Sequence, residues 1–506
     1  MSNRDLVRSS MLSVFLLAGG AAFGDIVEQG PKDSKPSGLL AGVARADISP
    51  PVGIAHLNWG SQTHVTAVGI DPAGMLATAL VISDGRQKFA IVDIDAGGVR
   101  GFDQMVTAAA AKATGIPAQH IRLNATHTHA GPAFQASKGP VGTDPAVFER
   151  VISAHRSVVA EKIIGAIIEA DAKLRPVHAY AARGVGTINI NRRVRASGNK
   201  PPAVGTNPDG FVDRELVVMR IDDAEGKPYA ILVNFQCHGT VLTFENKVIS
   251  PDWIGMVRKT LEQAFPGALA LYLQGAAGNQ GPIEGGTGDL RVAHRLGSIL
   301  GLQAAALALQ IETTRREPVM EGYVESTAFA ARQPWRVLGP RDATIKFVTS
   351  TLELPRRVYT PAEIDRMSTQ VATAKKQLEE AAQRSDAWQK HQAEARLRRD
   401  GDLLAKWTRP PDPSPVKVAV QILRIGDMAI VSMPGEPFAE IGAAIKKSSP
   451  FAFTMFCGYS TGMGGGYMPV ESEFEHSGYE IEMTPYGTKA ADKLIRETVE
   501  LYKSVQ

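Results

Sequence analysis

The sequence predicts an α/β fold: a layered mixed sheet flanked by helices, with one helical insertion. Three observations predict it. Short apolar, β-rich runs recur along the chain and are bounded by Gly, Asp and Pro turns. Helix-length segments alternate with those runs, which is the pattern of stacked α and β layers. One stretch, residues 360–407, breaks the alternation. It is dense in Ala, Glu, Gln, Lys and Arg with few large apolar side chains, so it reads as one or two solvent-facing helices, not a core.

At the N-terminus, Arg4 and Arg8 precede an apolar run, MLSVFLLAGGAAF, that closes on small residues before Gly24. Positive, apolar and small in that order describe a secretory signal peptide cleaved near Gly24, and the run is too short to span a bilayer. Residues 25–38 are polar with Pro and Gly, and read as a disordered lead-in. One domain then occupies residues 39–506. No later stretch reads as a membrane span, so an exported protein is expected. Its 506 residues are 44% hydrophobic and 21% charged, ordinary for a chain with a large core, and the formal charge of +3 gives no case for nucleic acid.

The elements follow in order. Residues 79–95 form two apolar runs joined by Asp84-Gly85, a hairpin signal. An Ala-rich helix covers 102–114, a strand resumes at HIRLNATH, and a long amphipathic helix runs over 146–174. INRRVRASG, residues 190–198, reads as a loop. Strands at 216–221 and 230–237 lead to His238. A helix at 252–265, a strand at 268–273, the Gly-rich loop QGAAGNQGP and a helix at 290–309 come next. After the insertion, strand pattern returns at 416–433 with Gly426-Asp427 at the turn. MPGEPFAEIG starts a helix, 451–457 is a strand, GYSTGMGGGY is a Gly-rich loop, and a helix over 487–503 closes the chain. Cys237 and Cys457 are too few for a disulfide framework, and both one bridge and two buried thiols remain open.

The chemistry centres on LNATHTHAGP, residues 123–132. If the backbone is still extended there, His127 and His129 point to one face and can grip a metal or a substrate. Each neighbouring candidate also has an ordinary structural reading. Arg192 stands beside Arg193 and Arg195, as in a solvated loop. Glu436 suits a helix start, and His238 suits a buried core position. His56, His64 and His476 are spare imidazoles.

The marks taken together, HTHxGP at 127–132, INR at 190–192, CHGT at 237–240, VISPD at 248–252, the loop at Gln274, MPGE at 433–436, then Tyr467 and Tyr479, resemble the neutral/alkaline (non-lysosomal) ceramidase family in order. The resemblance spans residues 40–505. It implies one Zn2+ per chain, held by His127, His238, Glu436 and Tyr467, with His129, Arg192 and Tyr479 facing the substrate amide. Imidazole and carboxylate ligands suit zinc, and a hydrolytic site keeps a position for water, whose pKa the metal lowers to ~7. Arg192 and Tyr479 would donate to the oxyanion, and His129 would carry the proton to the leaving group.

The chain departs from the family pattern in three places. The loop's family serine, a proposed nucleophile, is Gly281 here, which leaves metal-activated water. The chain corresponds to the catalytic part alone, without the family's C-terminal β-sandwich. It also shows no Trp/Leu-rich surface for a bilayer. The expected function is hydrolysis of the amide of a ceramide-like N-acyl lipid. The alternatives are an ester or a polar amide (an acylated sugar or peptide) at the same site, or a zinc-retaining binding protein without turnover. A polar-substrate enzyme should show a shallow cleft lined by groups such as Asn58, Gln274 and Asn279.

Overall fold

The computed structural model describes residues 38–506 except Asn58, residues 135–140, 142 and 199–201. The signal peptide, its cleavage near Gly24 and the lead-in up to residue 37 lie outside the described residues. The strands are β1 (Leu40–Asp47), β2 (Leu76–Ser83), β3 (Lys88–Ile94), β4 (Ile121–Ala125), β5 (Arg175–Val185), β6 (Asn189–Val194), β7 (Glu215–Asp223), β8 (Pro228–Phe235) and β9 (Leu269–Gln274). They continue with β10 (Gln280–Pro282), β11 (Ile345–Leu354), β12 (Val416–Ile425), β13 (Met428–Ser432) and β14 (Phe453–Cys457). The helices are α1 (Asp103–Thr114), α2 (Pro145–Ala172), α3 (Trp253–Ala264), α4 (Leu290–Leu309), α5 (Pro361–Gln383), α6 (Ala387–Trp407), α7 (Ala439–Lys447), α8 (Tyr479–Met483) and α9 (Ala490–Leu501).

Eight strands join in the order β9-β8-β7-β5-β1-β2-β3-β4, antiparallel in the middle, with the parallel pairs β8·β9 and β3·β4 at the edges. Side chains alternate between the faces of a strand, and here the alternation sorts the core. Ala79, Val81, Val92 and Leu123 face α1 and α2, while Val218, Ile231 and Val233 face α3 and α4. Leu80, Ile91, Leu232 and Leu271 face the other way, against Leu423, Ile430 and Met455 of a second sheet ordered β11-β12-β13-β14. Helices α7 and α9 cover that sheet's far side through Ile441, Ile445 and Leu494. The layers therefore run helix, sheet, sheet, helix. The expected α/β class holds, and the second sheet is what the sequence reading did not separate.

Several expectations are refined. The segment INRRVRASG is not a loop: its first half is β6, paired with β10. The insertion is two helices, α5 and α6, and α5 starts with a capping box between Thr360 and Glu363. Helix α4 is long and apolar enough to cross a membrane by composition, contrary to the sequence reading, but its Ala293, Leu296, Leu300 and Ala304 are buried against α3 and the sheet. Exposed apolar side chains also occur where none were anticipated: Tyr323, Phe329 and Trp335 stand out on or beside short strands between residues 314 and 340. Cys237 and Cys457 are buried free thiols.

One buried ion pair anchors the layers near the strand ends. Arg258 of α3 donates from Nη1 to Asp93 at 2.8 Å and from Nη2 to Asp95. Such a pair costs desolvation, so its contribution is positional rather than a large net stabilisation. It fixes the backbone leaving β3, on which the site is built.

Candidate metal centre

Six chain segments leave the carboxyl ends of parallel strands at one place, where ligands of open α/β sheets bind. Strand β4 stops at Ala125, earlier than an extended HTH would require. His127 then takes a left-handed φ of +61°, a conformation that costs a side-chain-bearing residue about 1 kcal/mol or more. The extended-backbone expectation is thus corrected, yet the two rings still meet, with His127 Nε2 and His129 Nε2 3.1 Å apart. The CHGT glycine has its reason here. A Cβ on Gly239 would lie 2.9 Å from Thr128 Cα and 3.0 Å from the His127 carbonyl oxygen.

The tautomers are set by backbone carbonyls, which only accept. His127 Nδ1 donates to Gly97 O at 2.6 Å, and His238 Nδ1 donates to Ala277 O at 2.6 Å. Each ring therefore presents the lone pair of Nε2, the orientation a metal-binding imidazole needs. Both lone pairs converge on Glu436 Oε2, at 3.4 Å from His127 and 3.2 Å from His238. In a tetrahedral site with bonds of ~2.0–2.1 Å, neighbouring ligand atoms stand roughly 3.3–3.4 Å apart. His238 Nε2 and Glu436 Oε2 are moreover buried without any hydrogen-bond partner among the described residues, and buried polar atoms rarely stay unpaired. The donor set, spacing and orphaned atoms fit a divalent cation. His129 offers a third nitrogen, since the ring nitrogens of His127, His129 and His238 lie within 4.8 Å of one another.

Electrostatics keep these groups in ligand form. Burial, then the nearby Arg192 guanidinium, pushes His238 down to about 3, so its ring stays neutral. Burial, with His127 and His238 alongside, holds His129 well below its ordinary value. Burial alone would raise Glu436, but positive charge at the His127 and His238 positions holds its carboxyl well below the usual range, and with both rings neutral that charge is the one a bound cation would supply.

Arg192 and Arg193 are buried rather than solvated. Arg192 Nε donates to Glu480 Oε1 at 3.0 Å and its Nη2 to the Tyr467 hydroxyl at 3.0 Å, while Arg193 binds Glu480 at 2.7 Å and Glu473 at 2.9 Å. Tyr467 pairs with Glu436 in a short parallel bridge, which brings its ring beside the cluster. Burial, then Glu436, raises the Tyr467 phenol well above its ordinary value, with Arg192 opposing. Tyr479 opens α8, is 39% exposed, and lies with its ring 5.6 Å from that of Tyr467. All seven expected site residues thus meet in one neighbourhood. A cavity of about 230 Å³ opens on His127, Glu436 and Tyr459 between glycine-rich segments.

Three neighbours were missed. Tyr459 packs against His127 with tilted rings whose centres are 4.3 Å apart, and the Trp59 indole donates to His129 O at 3.1 Å. Glu480 orients both arginines. Tyr459 follows a strand end in a Gly-rich loop, the signal that exposed His238, and was legible on that ground. Trp59 stands in no motif. The spare histidines stay outside the cluster: His56 and His64 bond each other at 2.9 Å, and His476 pairs with Glu475. The shallow cleft that the polar-substrate alternative would show is not built from Gln274 or Asn279. Gln274 is buried, its amide donating to Thr126 O and Cys237 O, and Asn279 bonds Glu440 and the start of α7; Asn58 lies outside the described residues. Gly281 of β10 faces Arg192, whose Cβ would be 3.2 Å from a Cβ placed there.

Known proteins resemble this chain as follows. A family model described as neutral/alkaline non-lysosomal ceramidase, N-terminal, matches residues 39–277. Neutral ceramidase B of Dictyostelium discoideum is 30% identical over 134 residues, covering 26% of this chain and 18% of that protein. Neutral ceramidase of Pseudomonas aeruginosa is 24% identical over 398 residues, covering 74% of this chain and 58% of that one. The chain therefore matches less than two thirds of the length of these relatives. A crystal structure of the Pseudomonas aeruginosa neutral ceramidase superposes with a TM-score of 0.61 at 20% identity, over 94% of this chain and 75% of that one. A structure described as ceramidase complexed with C2 gives 0.60 at 18% identity, over 93% and 75%. The fold is shared, the profile covers the strands that deliver His127 and His238, and the resemblance to the neutral/alkaline non-lysosomal ceramidase family is borne out.

Proposed function

We propose that this chain is an exported, zinc-dependent hydrolase of the amide bond in a ceramide-like N-acyl lipid. One observation carries the reading. Three ligand atoms, His127 Nε2, His238 Nε2 and Glu436 Oε2, converge at metal-site spacing, two of them buried and unpartnered. Zinc bound there would act as a Lewis acid and lower the pKa of water. Tyr467 is the proposed fourth ligand, because its backbone is paired with Glu436 and Arg192 holds its hydroxyl from the other side.

The remaining steps belong to side chains. Arg192 is anchored by Glu480 and keeps its charge in a buried setting, so it can stabilise the carbonyl oxygen as negative charge develops. Tyr479, at the exposed end of the group, donates from its hydroxyl to the same oxygen. His129 stands 3.1 Å from His127 with its neutral ring favoured, so it can take a proton and return it to the amide nitrogen as the C–N bond breaks. Position 281 has no hydroxyl to form an acyl-enzyme, so water is the nucleophile.

The test is release of free fatty acid from ceramides and other N-acyl amides by zinc-loaded and chelator-stripped protein. Zinc-dependent release is expected. Absence of release from every acyl amide, with one metal bound per chain, would leave the reading untenable and favour a metal-retaining binding protein.

A further inference from the structure

The insertion borders the site at Tyr479. On α6, Gln389, Gln392, Arg396 and Arg399 recur at intervals of three and four residues, which places them on one helix face. With Gln377 and Glu380 of α5 they line a cavity of about 650 Å³ whose opposite wall is Gly60 and Ser61. A hydrogen bond at 2.9 Å between His391 Nε2 and the Gln62 carbonyl ties the two walls together. Residues of both segments also approach the proposed catalytic groups. The Arg399 guanidinium lies 5.3 Å over the Tyr479 ring, and Trp59, next to Gly60, has its ring centre 5.0 Å from that of His129.

The lining decides what fits. Among the described residues its apolar side chains are Ala393 and Ala395, so a hydrocarbon chain would find little to bury against. Arg396 is already paired with Asp400, Arg399 with Asp400 and Glu482, and Glu380 with Lys376, which leaves no strong unmatched field for an ion. The three glutamine amides each donate and accept, which suits a neutral partner rich in hydroxyl or amide groups.

We propose that this cavity beneath the α5–α6 hairpin receives the amine side of the substrate, and that this side is hydrophilic and neutral, carrying hydroxyl or amide groups, instead of a long-chain base. The inference rests on the acyl-amide reading above. It implies an N-acyl lipid with a polar head, such as a fatty-acylated amino sugar or amino-acid amide.

Holoenzyme and its Gln389→Leu/Gln392→Leu variant are compared on three amides sharing one acyl chain: N-acylglucosamine, N-acylglutamine amide and ceramide. The wild type should favour at least one hydrophilic amide over ceramide by tenfold or more in kcat/KM, the preferred arm identifying hydroxyls or amides as the recognised chemistry. The variant should lose about tenfold on that substrate, mostly through KM. Equal or better cleavage of ceramide by the wild type, or an unchanged KM in the variant, overturns the inference while leaving the acyl-amide reading intact. Calorimetric binding of free glucosamine, glutamine amide and sphingosine separates the two ideas further. Binding of a hydrophilic amine that the variant weakens, without hydrolysis of any amide, supports the cavity and defeats the reaction; no such binding and no such preference defeats the cavity.

Discussion

His238 is the residue on which most of the site converges. Its Nδ1 proton is fixed by Ala277 O, its Nε2 has no protein partner, and it is fully buried. Replacing it with alanine removes one of two imidazole ligands and leaves Glu436 facing an empty volume. His238→Ala should hold less than a tenth of the wild-type metal, read by elemental analysis after desalting, and should lose activity in parallel. His129→Gln should keep its metal and lose at least a hundredfold in kcat, the range expected for a missing proton carrier. Metal loss in His129→Gln would instead make His129 a ligand. Gly281 tests the nucleophile. A serine there would press its Cβ on Arg192, at a cost of roughly 1 kcal/mol, so Gly281→Ser should be slower than the wild type. A faster variant with an acyl adduct detectable by mass spectrometry would show that water is not the required nucleophile.

At the scale of elements, α2 carries a pH-dependent contribution to stability. His155 stacks on Phe134, and its Nε2 is buried without a partner among the described residues. Burial, with Lys162 adding, pushes the ring from 6.5 down to about 4. The folded protein thus favours the neutral ring, and this contribution is present above pH 6.5 and lost as pH falls towards 4. The apolar His155→Phe should show a smaller fall in Tm between pH 7 and pH 4 than the wild type; parallel Tm curves would rule this contribution out. The elements themselves were largely legible. The hairpin at Asp84-Gly85, the helices at α1, α2, α3 and α4, and the β12–β13 turn at Gly426-Asp427 follow from periodicity and turn chemistry within about two residues. The unread strands share a physical reason. Those between residues 314 and 340 are short and exposed, so they lack an apolar stripe. β6 hides behind its arginines, which are buried only because Glu473 and Glu480, nearly 300 positions away, neutralise them. Such pairing is invisible to local pattern. For the same reason the site's residue types were readable while its geometry, including the left-handed His127 and the Trp59 neighbour, was not.

On the scale of the whole molecule, the proposed ligands come from β4, β8 and the segments after β13 and β14, so both sheets must be assembled before a metal can be held. Binding to the folded state alone stabilises by about 2.7 kcal/mol when free ligand is a hundredfold above its Kd. Zinc should therefore raise the midpoint of one cooperative thermal transition that includes both sheets, and His238→Ala should not respond. Two transitions, with only one moved by zinc, would mean that the sheets unfold separately and that the centre draws on one of them.

The location of the metal decides the matter most directly. Anomalous scattering at the zinc edge from crystals of the loaded protein should give one strong peak per chain, within bonding distance of His127 Nε2, His238 Nε2 and Glu436 Oε2. A fully loaded crystal with its peak elsewhere, or with none at these three atoms, would contradict the assignment of this cluster as the catalytic metal centre.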